Sequence, residues 1–195
     1  VGLPAPADQL SVGFNRVCAV LATGAVYCWG RGVGPSPARV DGVSLAAEVR
    51  VGWRHACARL RDGTVSCWGD NAFGQLGRGD TAASSEARAV AGLRDVASLS
   101  ASGFHTCAMR ADATLRCWGR NDLGQLGDGS TAARSVPVAT RASGAELSDV
   151  RAVAAGVDHT CAIVERAGGA RVLCWGGDLH GELGTGRVLA RAAPH

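Results

Sequence analysis

Eight cysteines fall into four copies of one spaced pair, and the second member of every pair opens a Cys-Trp-Gly. Cys18 precedes Cys28-Trp29-Gly30, Cys57 precedes Cys67-Trp68-Gly69, Cys107 precedes Cys117-Trp118-Gly119, and Cys161 precedes Cys174-Trp175-Gly176. The tryptophans step by 39, 50 and 57 residues. A period of this size belongs to propellers and solenoids, in which a unit too small to bury its own apolar face covers it with the next unit.

Nine residues separate the cysteines in three pairs and twelve in the fourth, and no Cys-x-x-Cys occurs. Structural zinc sites draw on pairs only about two to four residues apart, so the spacing argues against metal. A hairpin accounts for it. Opposing Cys57 to Cys67 leaves Arg61-Asp62-Gly63 as the connection, ending on the residue that enters the left-handed region without a Cβ penalty. The same register leaves Ala22-Thr23-Gly24 in the first copy and Ala111-Asp112-Ala113 in the third. Ala113 in the glycine position is expected to cost about 1 kcal/mol or to force another turn type. Cys161 and Cys174 oppose across an even loop or a bulge, and Arg166-Ala167-Gly168-Gly169 would serve as a four-residue loop. Opposed residues in a non-hydrogen-bonded pair bring their Cα atoms to about 4.5 Å, within disulfide range. A bridge inside each hairpin is therefore the expected connectivity, and such bridges persist in oxidising compartments. The protein is expected to be secreted, periplasmic or on the cell surface; reduced, buried cysteines in a cytosolic protein are the alternative.

All twenty basic residues are arginine and seventeen acids are interleaved with them, so a net charge of +3 forms no like-charged block. Neither a nucleic-acid arm nor a membrane-binding arm is marked. No apolar run reaches the length of about 18 residues that a membrane span needs. The chain begins Val1-Gly2-Leu3-Pro4, and any export leader is expected to have been removed or to lie outside it.

Further features repeat with the hairpin. Short strand-like stretches ending in glycine precede it, as in Val49-Arg50-Val51-Gly52. His55, His105 and His159 stand two residues before the first cysteine. After Cys-Trp-Gly come 70–77 (DNAFGQLG), 120–127 (RNDLGQLG) and 177–184 (GDLHGELG). This order closely resembles the regulator of chromosome condensation repeat, in the disulfide-bearing form found in exported bacterial proteins. The first copy departs from it: Arg16 stands for the histidine and Gly32-Val33-Gly34-Pro35 replaces the tail.

The resemblance implies an all-β fold, a β-propeller of four-stranded antiparallel blades around a channel. Short β-branched segments punctuated by glycine and proline agree with an all-β array, and the best helix candidate, 81–87, lies where the family has a loop. Residues 1–195 are expected to form a single propeller or propeller fragment with hairpins near 16–30, 55–69, 105–119 and 159–176. Family members typically have more blades than these repeats supply. A fragment of a longer propeller, a closed four-bladed ring, and a half-ring completed by a second chain all stay open; the fragment is favoured because open blades expose sheet edges.

The fixed offset of His55, His105 and His159 points to a structural hydrogen bond inside each blade rather than to metal ligation. Trp29, Trp68, Trp118 and Trp175 are expected to pack between blades, and Asn71 and Asn121 to bond nearby backbone in turns. The GQLG tail lacks the helix and lysine of a phosphate loop, and no nucleophile elbow or HExxH appears. Hence no catalytic residue, metal or cofactor is expected. Trp53 is off the repeat pattern and is either a core or an exposed contact residue; it and Phe73 are the candidate contact residues. The functional expectation is a non-enzymatic scaffold that presents variable loops to a protein partner. A carbohydrate or cell-wall binding module using Trp53, Phe73, Phe104 and Tyr27 is the alternative. Guanine-nucleotide exchange, the founding member's activity on Ran, and β-lactamase inhibition are reached only by analogy with the family.

Overall fold

Strands flanking a tight turn build an antiparallel sheet four times over. The computed structural model describes residues 2–186 and 188–194. Blade 1 comprises β1 (Ala7–Val12), β2 (Arg16–Leu21), β3 (Val26–Gly30) and β4 (Gly34–Arg39). Blade 2 comprises β5 (Ala46–Val51), β6 (His55–Leu60), β7 (Val65–Gly69) and β8 (Ser84–Ala89). Blade 3 comprises β9 (Val96–Ser102), β10 (His105–Arg110), β11 (Leu115–Gly119) and β12 (Arg134–Ala139). A two-stranded ribbon, β13 (Arg141–Ala142) and β14 (Ala145–Glu146), leads to blade 4, made of β15 (Val150–Ala155), β16 (His159–Arg166) and β17 (Gly169–Gly176). All pairings are antiparallel and follow chain order from the inner strand outwards.

Blade 4 departs from the expected four strands. Its outer position is held by a single bridge, Gly176 to Arg191, in the register of Gly69 to Ser84 and Gly119 to Arg134. Residues 84–87, within the helix candidate, instead lie in the edge strand β8, where pairing with β7 overrides a weak helical propensity.

In each hairpin the two cysteines sit directly opposite, with Cα atoms 4.1 Å apart, and all four pairs are disulfides: Cys18–Cys28, Cys57–Cys67, Cys107–Cys117 and Cys161–Cys174. Three-residue turns close the first three hairpins. Gly63 adopts φ 79° and its N–H donates to the Leu60 carbonyl at 3.0 Å. The fourth hairpin corrects the expected loop: Arg166 pairs with Gly169, so only Ala167-Gly168 remains unpaired, because β16 and β17 extend one pair further than the cysteines require.

Ala113 keeps the same turn rather than another type, at φ 61°, with its N–H on the Arg110 carbonyl at 3.0 Å. Its glycine counterpart Gly24 is so tightly apposed to the next blade that a Cβ there would lie 2.7 Å from Leu45 Cα. Ala113→Gly is therefore expected to stabilise the protein by about 1 kcal/mol, by removing a left-handed alanine. Urea unfolding of the two proteins checks this, and an unchanged or lower midpoint would refute it.

The core is not inside any blade but between blades. One cluster joins Val20, Val26 and Cys28 to Val49, Ala58 and Trp68; a second joins Cys67, Leu76 and Val90 to Leu99, Ala108 and Trp118; a third joins Leu115, Cys117 and Leu126 to Val150, Ala162 and Trp175. Inner strands meet in sequence, β1 with β5, β5 with β9 and β9 with β15, whereas no comparable packing returns β15–β17 to blade 1 among the described residues. The sheets thus form an open arc, which corrects the closed four-bladed ring. Its two ends show what closure would bury. Leu10 is 57% exposed where its counterpart Val49 is fully buried, and Val172 is 66% exposed where Val65 is 1% exposed.

Candidate functional site

Successive residues of a strand face opposite sides of the sheet, so the first two residues of β10, His105 and Thr106, serve different neighbours. His55 Nε2 lies 2.8 Å from Thr106 Oγ1, and His105 Nε2 lies 2.9 Å from Thr160 Oγ1. These bonds run between blades, not inside them as expected, because each ring crosses the face that packs against the next sheet. Gly52 makes room for this, since a Cβ there would stand 2.3 Å from His55 Cε1.

Thr160 Oγ1 also donates to the Gln125 carbonyl at 2.9 Å, so it accepts from His105, whose Nε2 carries the proton. Both histidines are fully buried, and Nδ1 of each has no hydrogen-bond partner among the described residues. Burial pushes both imidazoles down to about 3; Arg16 adds to this at His55, and the neighbouring His55, His159 and Arg120 add to it at His105. They are neutral struts at ordinary pH. His159 begins β16 on the open side of the arc and is half-buried.

The other repeated residues are structural as well. Trp118 and Trp175 are fully buried, and their Nε1–H groups donate to the carbonyls of Gln75 and Gln125 at 2.8 and 3.0 Å. Trp68 is buried at the first blade junction, while Trp29, with no blade beside it, is half-buried. Asn71 and Asn121 are fully buried and organise the long tails. Each accepts from the backbone N–H five residues on, Leu76 and Leu126, at 2.9 Å, and each donates to carbonyls further along the same loop. Glu48 went unmarked in the sequence. It is a buried carboxylate that accepts from Arg50, Arg59 and the Leu99 N–H at 2.8, 3.2 and 3.2 Å, tying blade 2 to blade 3.

What remains at the surface is a row of aromatic rings. The inner turns of adjacent blades come so close that only glycine fits at the point of contact; a Cβ on Gly103, at φ 43°, would lie 2.2 Å from the Val157 carbonyl oxygen. The turns therefore set their side chains side by side. Phe14 lies 5.5 Å from Trp53, Trp53 5.3 Å from Phe104, and Phe104 5.3 Å from Phe73, measured between ring centroids. Phe14, Trp53 and Phe73 are exposed, so Trp53 is a surface residue rather than core. The Arg120 guanidinium sits 5.8 Å above the Phe73 ring, held by Asp122 and Asp158 at 2.6 and 3.1 Å. Phe14 was the residue missed in the sequence. Its signal was position, since it follows Gly13 as Trp53 follows Gly52. Tyr27 is half-buried in β3 and stands outside the row. No group of His, Cys, Asp or Glu able to hold a metal occurs among the described residues.

Antiparallel sheets packed face to face in chain order, with one inner strand each, define an arc of a β-propeller. The chain belongs to the regulator of chromosome condensation (RCC1) repeat family: repeat models match residues 7–33, 46–75 and 96–125, and, in a second form, 62–109 and 114–163. No curated protein matches it in sequence. Among solved structures it is similar to Prp20p from Saccharomyces cerevisiae, described with its binding to Gsp1p and histones, at TM-score 0.81 and 21% identity over all of this chain and 51% of that one. Human WBSCR16 gives 0.81 and 19% over all of this chain and 54% of that one. The CRINKLY WD40 ectodomain of the Arabidopsis thaliana receptor kinase ACR4 gives 0.58 and 22% over 87% and 55%. The chain spans about half the length of each of these.

Proposed function

We propose that this arc is a non-enzymatic protein-binding scaffold of an extracellular or cell-envelope compartment, and that the aromatic row is its contact face. The row itself carries the reading. Exposed Phe14, Trp53 and Phe73, with Arg120 clamped over one ring, have the composition of interface hot spots, which favour aromatics and arginine. Four disulfides support an oxidising compartment. The exposed Leu10 and Val172 support completion of the arc by further blades, from the same protein or a second chain. The carbohydrate alternative is disfavoured by ring orientation. The rings tilt against one another at 37°, 72° and 53°, presenting edges rather than one flat stacking platform. Exchange activity and histone binding are not carried over, since similarity at this level of identity concerns the fold.

A photo-reactive phenylalanine analogue at position 73 tests the proposal in the native extracellular fraction. A discrete protein adduct is expected. Its yield should fall when Trp53 is changed to alanine, by roughly thirtyfold in affinity if Trp53 is a hot spot of about 2 kcal/mol. Labelling confined to glycan, or protein labelling indifferent to Trp53→Ala, would overturn it.

A further inference from the structure

Blade 1 lacks the tail that follows Cys-Trp-Gly in the other blades, and the structure shows what occupies that place elsewhere. In blade 2 the tail 70–77 packs against blade 3: Leu76 is fully buried in the cluster of Cys67, Val90 and Trp118, and the Gln75 carbonyl accepts from Trp118 Nε1 at 2.8 Å. Gly77 approaches that indole so closely that a Cβ would stand 2.9 Å from Nε1. Blade 3 repeats the arrangement with Leu126, Gln125 and Trp175. Fourteen residues, 70–83, join β7 to β8, but only three, 31–33, join β3 to β4.

Between blades 1 and 2 the corresponding place is a cleft of about 970 Å³. Cys28, Val40, Trp68 and Gly69 line it, the counterparts of Cys67, Val90, Trp118 and Gly119 around the blade 2 tail. Among the described residues no glutamine carbonyl accepts from Trp68 Nε1 as those of Gln75 and Gln125 do from Trp118 and Trp175. Arginines outnumber carboxylates on the walls as well. Arg16, Arg31, Arg39 and Arg54 all line the cleft, and none is in an ion pair among the described residues. Arg16 takes the place of the buried histidine, and its Nε and Nη2 donate only to the Arg31 carbonyl, at 3.4 and 3.3 Å. Three carboxylates share the walls: Asp41, Asp70, which accepts from the backbone N–H groups of Asn71 and Ala72, and Glu86, which faces Arg88 at 3.6 Å, so the four guanidiniums leave a small positive excess.

We infer that this cleft receives an extended acidic segment of a protein partner that reproduces the missing tail. Such a segment supplies a backbone carbonyl to Trp68 Nε1, a leucine where Leu76 sits one blade on, and carboxylates to the arginines. The chain's own fourth tail, 177–184, has that composition, GDLHGELG. The inference rests on the protein-binding reading; the cleft adjoins the aromatic row at Trp53, which lines both, but its floor of Cys28, Val40, Trp68 and Gly69 lies outside the row.

The test is titration of the full ¹⁵N-labelled chain with the octapeptide GDLHGELG, following the indole N–H of Trp68 among the five tryptophans, assigned with Trp68→Phe. The Trp68 signal is expected to shift. Replacing the peptide's leucine next to its last glycine with alanine, amidating its two acids, or changing Arg16 to alanine should each weaken binding roughly tenfold, the scale of one charge-assisted hydrogen bond or a lost apolar anchor. No shift of Trp68, or binding indifferent to the leucine and the acids, overturns the inference. Arg16 is half-exposed at the cleft, so its variant is expected to fold. Failure of the peptide alongside a Trp53-dependent adduct sinks the cleft alone, and loss of the adduct alongside peptide binding sinks the aromatic row alone.

Discussion

Reduction and alkylation of the protein is expected to abolish its cooperative unfolding transition at 37 °C. Each of the three short bridges closes a loop spanning ten positions, worth about 3 kcal/mol on the chain-entropy argument. Together the four approach the whole stability of an ordinary domain, about 5–15 kcal/mol. Removing one interior bridge, Cys57→Ala with Cys67→Ala, should lower the midpoint by roughly 10 °C at this size. The bridges should also open in order. Six of the cysteines are fully buried between blades, whereas Cys161 is half-buried and Cys174 is 9% exposed on the open side of blade 4. Mild reductant with alkylation and peptide mapping should therefore label Cys161 and Cys174 first. A reduced protein that keeps its full transition would show that the stack does not depend on its bridges.

Acid is expected to destabilise the protein well above the carboxylate range. His55 and His105 are held at about 3 in the fold against an ordinary 6.5, chiefly by burial. The sign follows from linkage. Below pH 6.5 the unfolded chain takes up protons that the folded one refuses, so the contribution is complete above that pH and is lost progressively as pH falls towards 3. Between pH 7 and pH 5 the loss should be about 2 kcal/mol per histidine. Protonation would place an N–H on Nδ1, which has no acceptor among the described residues. Urea unfolding across that range measures the slope, and His105→Gln should remove about half of it. A flat profile would mean that the rings are hydrated, contrary to their burial.

Much of the blade was legible in the sequence because its constraints are local. Gly24 and Gly63 mark where a hairpin must turn, and the turn in turn sets which cysteines face each other. The fourth hairpin differs from the expected loop Arg166-Ala167-Gly168-Gly169 by one residue pair, since a four-residue and a two-residue loop centred on Ala167-Gly168 oppose the cysteines equally well and only the strand pairing decides. The histidines illustrate the other limit. Their spacing showed that each has a fixed job, but the hydroxyl that meets His55 lies 51 residues away on the next sheet, and local pattern carries no record of such a contact. The aromatic row is similar. Phe73 and Phe104 come from different kinds of loop in different blades, and the curvature of the stack brings them together. The cleft was half-written: the shortened tail was plain in the first repeat, but that its absence leaves space depends on the neighbours not collapsing into it.

The pairing of imidazole with hydroxyl bears on how such a chain can be lengthened or shuffled. Histidine and threonine are adjacent in His105-Thr106 and His159-Thr160, yet one reaches forward to the following sheet and the other is reached from behind. A single duplication of this dipeptide therefore supplies one half of each of two joints, a hydroxyl for the sheet before and an imidazole for the sheet after, so a copy inserted in the series completes both. Copies added inside the series would be interchangeable and could stack in one direction only. Blade 1 carries Arg16-Val17 instead, and faces Ala56, which has no hydroxyl. The junction assembled without this fastening is the one that stands open.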